Sequence, residues 1–554
     1  MELNLTFNLN FEKERKIEEK VQANLKKQAK AKYEPTWEEV WDTGYETATG
    51  TTKKGILQSK LTDLDRQRLS EVRQALEAGE LGTGVETLTK FTKSRALSLY
   101  KELKELRKDQ IIAQMIENKP ANYHLITTEE QFNWILELLN RETLIALDTE
   151  TTGVEMWGSD VAVGLSMTLP VSDVHCYIPV RHEVEDEQLP ASMVFEELKP
   201  YLEDAQIKKV LHNAKFDVHM LRKENIEVKG IEMDTMVAAH CLNENEPSFA
   251  LKNLATKYGK YFGFEDKSLT YEELFGKGGF ENTPLLIGSI YACKDTHLTY
   301  QYYQWILTQM ERVPQLKELY FGIENKVLEV SIEMEKNGFL MDLDYAKKYQ
   351  AELTEEIEEL NKKIREGFGD INVNSNAQLA NVLYDVWGIE DTFKRKVDAS
   401  TLKTIVTKYK DKNEKVVYLE ALLSYRELNK LLTTYIEPLP TKISPIDGRL
   451  HGSFNQSATK TGRFASNNPN LQNIPYPARP MFKAPEGKLI IGIDYSQIEP
   501  RVLAHISNDS NFKEAYIQGR DLYSEIASRT FKVPLEECGD GSKYRKQAKV
   551  ILLG

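Results

Sequence analysis

Residues 144–153 read LIALDTETTG, Leu144 to Gly153. An apolar run gives way to Asp148 and Glu150, two positions apart, with Thr149 between them. In a strand, residues i and i+2 point to the same face, so both carboxylates converge on one point beyond a buried segment. Two carboxylates placed this way either repel or share cations. Mg²⁺ or Mn²⁺ suits them, because hard oxygen ligands match hard cations. An Asp-x-Glu pair alone also describes an ordinary solvated surface, so its meaning depends on what surrounds it.

Working outward, the texture from about Tyr123 is of short apolar runs broken by turns and helical patterns: DVAVGLSMTL, HCYIPV and KKVLHN. Strands alternating with helical segments predict an α/β domain. The strand-like run KKVLHNAKFD is expected to end with Asn213, Phe216 and Asp217, and YACKDTHLTY sets Tyr291 and Asp295 four apart on one helical face. Four carboxylates and a tyrosine are then available to a two-metal site. Such a site clamps the attacking and leaving oxygens of a phosphodiester while the phenol orients a water.

Further along, Tyr303 to Asp370 has a long helical pattern, with Leu353, Ile357, Leu360 and Ile364 marking one apolar face. Residues 371–440 continue mostly helical until Pro438 and Pro440. The run GRLHGSFNQSATKTGRFASNNPNLQNIP, Gly448 to Pro475, is poor in helix formers and rich in amides and hydroxyls, with Arg449, Lys460 and Arg463 among them. Such groups suit phosphates, sugars and minor-groove edges, though a long polar loop without a ligand has the same composition. KLIIGIDYSQIEPRVLAHIS then predicts a buried strand running into Asp494, which either holds a metal or caps the helix that follows. In RKQAKVILLG, Arg545 and Lys549 stand at i and i+4, so both cations project from one face, toward a triphosphate or toward solvent.

The blocks DxE, NxxFD and YxxxD, in that order, resemble the proofreading 3′-to-5′ exonucleases of the DnaQ-like (DEDDy) type. The later blocks YRELNKLLTTY, TGRFASNNPNLQNIP, DYSQIEPRVLAH and RKQAK resemble family A (DNA polymerase I-like) DNA polymerases, with MEKNGFLMD similar to the segment leading into the thumb. The resemblance implies an RNase H-like α/β exonuclease domain over 121–302, a helical thumb with its palm connection over 303–448, and a partial α+β palm with the start of the fingers over 449–554. It also implies a metal set of Asp148, Glu150, Asp217 and Asp295 with Tyr291 as the defining tyrosine, and two ions, Mg²⁺ or Mn²⁺, per active site. Asp494 would be a palm metal ligand with the Tyr495 carbonyl nearby, Glu499 would crowd a ribose 2′-hydroxyl, and Arg545 and Lys549 would hold the deoxynucleoside triphosphate. Lys430, Arg463, Asn470, Gln472, Asn473 and Gln497 would lie along the primer-template, and Asn213 and Phe216 along a single-stranded 3′ end. Leu553 stands where an aromatic residue is usual, and Pro500 where leucine is.

At 554 residues, the length predicts about three to four domains and excludes a single small binding module. Residues 1–120 alternate Lys/Glu-rich helical stretches and are expected to form a helical N-terminal arm. Four cysteines lie at neither finger nor redox spacing, and the N-terminus lacks the apolar core of a secretion signal, so a cytoplasmic, membrane-free setting is expected. The net charge of -13 sits in one block: residues 121–300 carry 15 basic and 30 acidic groups, whereas Gly448 to Pro485 has five basic and no acidic ones. Because the chain stops at Gly554, within the helix expected to hold the nucleotide, the sequence predicts the N-terminal part of a phage-type polymerase interrupted by an intron or completed by a second polypeptide. Two other functions remain open: a free-standing exonuclease with a DNA-gripping remnant, and a non-catalytic primer-template binding protein.

Overall fold

A computed structural model describes residues 112–113, 115–264, 274–276 and 278–553. The arm expected over residues 1–120 thus falls, but for its last positions, outside the described residues. The described chain divides into two compact units, one running to Phe482 and one starting at Lys483.

The apolar run that precedes Asp148 does form a strand. Its sheet contains β1 (Tyr123–Leu125), β2 (Leu144–Thr151), β3 (Ala162–Leu169), β4 (Val174–Pro179), β5 (Lys208–Leu211) and β6 (Ile231–Asp234), in the order β1-β4-β3-β2-β5-β6. β2 runs antiparallel to β3 and parallel to β5, and in the β2–β3 register Asp148 faces Ser166 and Glu150 faces Gly164. Gly164 is required by its neighbour: a Cβ there would lie 2.0 Å from the Tyr177 hydroxyl. That hydroxyl is in turn held 2.6 Å from Nε2 of His182.

Helices cover both faces. Ile145 and Leu147 of β2 point into a core with α1 (Glu129–Leu139), α2 (Ala191–Leu202) and α3 (Ala214–Lys223). Ala146 points the other way, toward α4 (Thr235–Leu242) and the 28-residue α6 (Leu285–Arg312), with the short α5 (Leu251–Tyr258) alongside. A capping box between Thr128 and Gln131 starts α1. The first core also takes in Leu328 and Ile332 from α7 (Asn325–Asn337).

A buried polar node ties α3 to α7 and to the backbone at Phe454. Lys215 donates to Oε1 of Glu335 (2.6 Å) and to the Phe454 carbonyl (2.5 Å), and Phe454 N–H donates to the same Glu335 oxygen (2.7 Å). His219 sits 3.1 Å from the other Glu335 oxygen. The Glu335 carbonyl is 2.7 Å from His451, whose ring stacks on Trp157 with centroids 3.8 Å apart. Glu335 is 1% exposed, so its charge is compensated by these partners rather than by water.

The helical region beyond bears out its apolar stripe. Along α8 (Leu343–Phe368), Leu353 and Ile357 pack on Leu431, Leu432 and Ile436. Two turns on, Leu360 and Ile364 pack with Leu402 and Ile405 of α9 (Ala399–Tyr409) and Leu419 and Leu422 of α10 (Val416–Leu431). Cutting one such leucine to alanine costs about 2–5 kcal/mol. The polar run after Gly448 forms a small hairpin, β7 (Ser453–Asn455) against β8 (Ala465–Asn467), with Lys460 and Arg463 in the loop between.

The second unit consists of α11 (Ile498–Ser507), α12 (Ser510–Ile517), α13 (Leu522–Phe531) and α14 (Lys543–Leu553). Ala527, Cys538 and Ala548 form its buried centre, with Phe531 and Tyr544 packed against them. The strand expected in KLIIGIDY is absent. Among the described residues Lys488 to Tyr495 pairs with no strand, and Leu489 (87%), Ile491 (79%) and Ile493 (90%) are exposed. A strand's N–H and C=O groups need a neighbouring strand, so apolar composition alone cannot hold the extended form. Asp494 therefore does not end a buried strand. It does not cap the next helix either, since the N-cap of α11 is Gln497 in the left-handed region. Pro500 sits in the first turn of α11, where its missing donor is tolerated.

Candidate active sites

The C-terminal end of β2 brings the expected carboxylates into one electrostatic neighbourhood. Asp148 and Glu150 share a face of the strand, while Tyr291 and Asp295 lie one turn apart on α6. Asp217 is not at a strand end as expected: β5 stops at Leu211, and Asp217 occupies the first turn of α3, 1% exposed. Thr149 fixes it there, donating its N–H (2.8 Å) and its hydroxyl (2.6 Å) to one Asp217 oxygen.

Asp234, which the sequence reading missed, sets the start of α3. One of its oxygens accepts from Asn213 N–H (3.1 Å) and Met236 N–H (2.9 Å), the other from Ala214 N–H (2.9 Å). It thus caps α4 and also holds the turn where Asn213 takes a positive φ of 66°, a conformation asparagine tolerates. Asn213 is exposed and Phe216 half-buried beside this turn.

Burial dominates the electrostatics of the carboxylates. It raises Asp148 well above the ordinary range, and the charges of Asp217, Glu150 and Asp295 push the same way. Glu150 is raised by burial and by Asp295. Asp217 is pushed up to about 7 by burial, although its Thr149 hydrogen bonds oppose the shift. A second residue missed from sequence, Lys252 of α5, supplies the opposing charge. Its ammonium lies 3.8 Å from Oδ1 of Asp295 and 3.6 Å from the centre of the Tyr291 ring. Phe275 and Phe280 flank the same ring.

This donor set fits a hard divalent cation: it is all oxygen, and Asp148 and Glu150 are raised in pKa by desolvation and, after it, by mutual repulsion that a cation would relieve. Among the described residues, no three His, Cys, Asp or Glu side chains close around one ion position. The acids share a field without forming a coordination shell.

The expected DNA-contacting residues are distributed along exposed surface of the first unit. Lys430 lines a polar cavity of about 490 Å³ with Asn374, Asn376, Asn429 and Thr433. Arg426 shapes this cavity by donating to the carbonyls of Val373 (3.1 Å) and Val397 (3.0 Å). Arg463, Asn470, Gln472 and Asn473 are exposed in and after the β7–β8 hairpin.

In the second unit Asp521, also missed from sequence, joins two of the expected residues. It accepts from Arg545 Nε (2.5 Å), from Gln497 Nε2 (2.8 Å) and from the Ser524 hydroxyl (2.6 Å). Burial would raise the Asp521 carboxyl, but the Arg545 and Ser524 hydrogen bonds outweigh it and hold the group below its usual range. The local signal was there to find: an aspartate directly before the LYSEIASRTF helix. Asp494, Tyr495, Glu499 and Lys549 are all exposed. The side chain of Leu553 lies outside the described residues.

Two family descriptions match the chain in succession. "3′-5′ exonuclease" matches residues 123–311, and "DNA polymerase family A" matches 343–554. The chain belongs to DNA polymerase family A, with a 3′-5′ exonuclease domain. It is 35% identical over 436 residues to a DNA polymerase I of Chloroflexus aurantiacus, covering 76% of this chain and 45% of that one. To a DNA polymerase I of Pseudomonas aeruginosa it is 31% identical, covering 78% and 48%. The chain thus spans about half the length of these curated relatives. They are bacterial proteins, and the phage-type expectation draws no support from them.

Among solved structures, the fold matches the POL domain of Pol1 from M. smegmatis in complex with DNA primer-template and dNTP. The TM-score is 0.62 at 26% identity, covering 78% of this chain and 71% of that one. No helix among the described residues of this family A chain is long and apolar enough to cross a membrane.

Proposed function

We propose that this chain serves template-directed DNA synthesis with 3′-to-5′ proofreading, excision taking place at the end of β2. The observation that carries the reading is the cluster of Asp148, Glu150, Asp295 and Tyr291, half-buried around the buried Asp217, in a chain of this family. In excision, water adds to the terminal phosphorus and the 3′-oxygen of the penultimate nucleotide leaves. The four carboxylates would hold two Mg²⁺ or Mn²⁺ ions, which when bound supply charge neutralisation at the phosphate and an acidified water. Thr149 keeps one Asp217 oxygen occupied and so aims the other, while the Tyr291 hydroxyl positions the water. Asn213 and Phe216 would meet the single-stranded end.

For synthesis, Arg545 and Lys549 would offset the charge of the incoming triphosphate, with Arg545 oriented by Asp521. Asp494 would bind metal beside the Tyr495 carbonyl, Glu499 would exclude a 2′-hydroxyl, and Leu553 would adjoin the nucleotide. Lys430, Arg463, Asn470, Gln472, Asn473 and Gln497 would contact the primer-template. In domain terms, 121–302 would be the exonuclease, 303–448 the thumb and its connection, and 449–554 palm and fingers.

A labelled primer-template with a mismatched 3′ end tests both halves. Metal-dependent shortening that disappears in Asp148→Ala with Glu150→Ala supports excision, and extension lost in Asp494→Ala supports synthesis. The exposed, unpaired segment around Asp494 favours a second reading, an exonuclease whose polymerase part only grips DNA. Extension by the chain alone would eliminate that reading.

A further inference from the structure

The nuclease centre contains a cation of the chain's own. Lys252 stands in the first turn of α5, which packs beside α6, and its side chain is 21% exposed. Its ammonium is 3.8 Å from Asp295 and sits over the Tyr291 ring, and its charge also favours the ionised forms of Asp148 and Glu150. One ammonium therefore acts on three of the four carboxylates and on the phenol at once.

We propose that Lys252 is a working part of the exonuclease centre: it holds the acids together when metal ions are absent and meets the scissile phosphate when they are bound. The inference rests on the exonuclease reading given above. Like carboxylates crowded out of water repel, and a nearby ammonium offsets that repulsion. Once divalent ions take over the carboxylates, the contact with Asp295 loses its purpose. An ammonium on a flexible four-carbon stem can then exchange partners. The partner at hand is a non-bridging phosphate oxygen beside the Tyr291 hydroxyl, where a fixed cation offsets charge developing in the transition state.

Lysine and metal thus compete for the same acids, and Ca²⁺ titrated calorimetrically into the full chain without DNA reads that competition. The expectation is that Lys252→Met binds Ca²⁺ about tenfold more tightly than wild type, because a nearby positive charge has gone. With Mn²⁺ and a single-stranded oligonucleotide, the same variant should excise on the order of 10²-fold more slowly, and Lys252→Arg should recover part of the rate. In EDTA, Lys252→Met should melt below wild type, with saturating Ca²⁺ closing the gap. Unchanged Ca²⁺ affinity in Lys252→Met, or a wild-type excision rate, overturns the role of Lys252. If Lys252→Met does not fold, Lys252→Gln takes its place under the same criteria. A wild-type chain that neither binds Ca²⁺ nor excises with Mn²⁺ overturns the exonuclease reading itself, a result distinct from the others.

Discussion

The end of β2 and the Asp521 cluster solve opposite electrostatic problems. At β2 four carboxylates are gathered with one lysine beside Asp295, so the site holds more acid than its own cation can offset. At Asp521 the chain meets its own needs: one carboxylate accepts from an arginine, an amide and a hydroxyl, and so holds Arg545 of α14 in place. The first kind of site is built by burial, the second by hydrogen bonds at a half-exposed surface. Acid excess in one segment and basic groups in another thus describe two different ligands rather than one net charge.

The largest expected effect separates the two sites outright. Asp148→Ala combined with Glu150→Ala should lower excision by about 10³-fold or more while leaving any nucleotide incorporation intact, as followed on gels with a mismatched primer. Next, Asp521→Ala takes the Asp521 partner from Arg545 and Gln497, leaving Arg545 to Asp540 and Gln497 to Tyr516. Incorporation should then fall by about 10²-fold, chiefly through a higher KM for the triphosphate, with excision untouched. An equal loss of both activities would mean that Asp521 acts on folding instead. Smaller still, Thr149→Val removes the hydroxyl that fixes Asp217 but keeps the N–H, and excision should drop about tenfold.

A pH titration sharpens the same contrast. His175 is buried, and burial together with the charges of His297 and His124 lowers it to about 3. Its unfolded value is near 6.5, so between pH 6.5 and 3 the unfolded chain binds the extra proton. The contribution of His175 to stability is therefore full above pH 6.5 and is lost by up to about 1.4 kcal/mol per pH unit below it, while the raised Asp148, Glu150 and Asp217 act in the opposite direction as the pH falls. Urea unfolding at stepped pH should show a smaller loss on acidification in His175→Gln than in the wild type.

How much was legible follows from how local each interaction is. β2, with Asp148 and Glu150, could be read because an apolar run and an i, i+2 pair are properties of ten adjacent residues. The Tyr291–Asp295 helix and the stripe from Leu353 to Ile364 were legible for the same reason. KLIIGIDY looked no less like a strand than LIALDTE, yet only the latter has β3 and β5 beside it to bond. The placement of Asp217 in a helix was misjudged because KKVL and AKFD are separated by a turn that Asp234 holds from twenty residues away. Lys252 gave no local signal, since its partners at Asp148, Glu150 and Asp295 are brought together only by the fold.

The Glu335 node bears on where the molecule can be cut. The stretch that matches an exonuclease ends at residue 311, and that would be the obvious place to excise a stand-alone nuclease. Such a fragment would lose Leu328 and Ile332 from its apolar core, and would leave Lys215 and His219, on either side of Asp217, without the carboxylate that holds them. Residue 337 would restore α7 and Glu335, and residue 455 would also return the Phe454 carbonyl that accepts from Lys215. The smallest self-sufficient form of this domain is therefore expected to be longer than the stretch matched to an exonuclease, with its last stitch in a hairpin within the stretch matched to DNA polymerase family A.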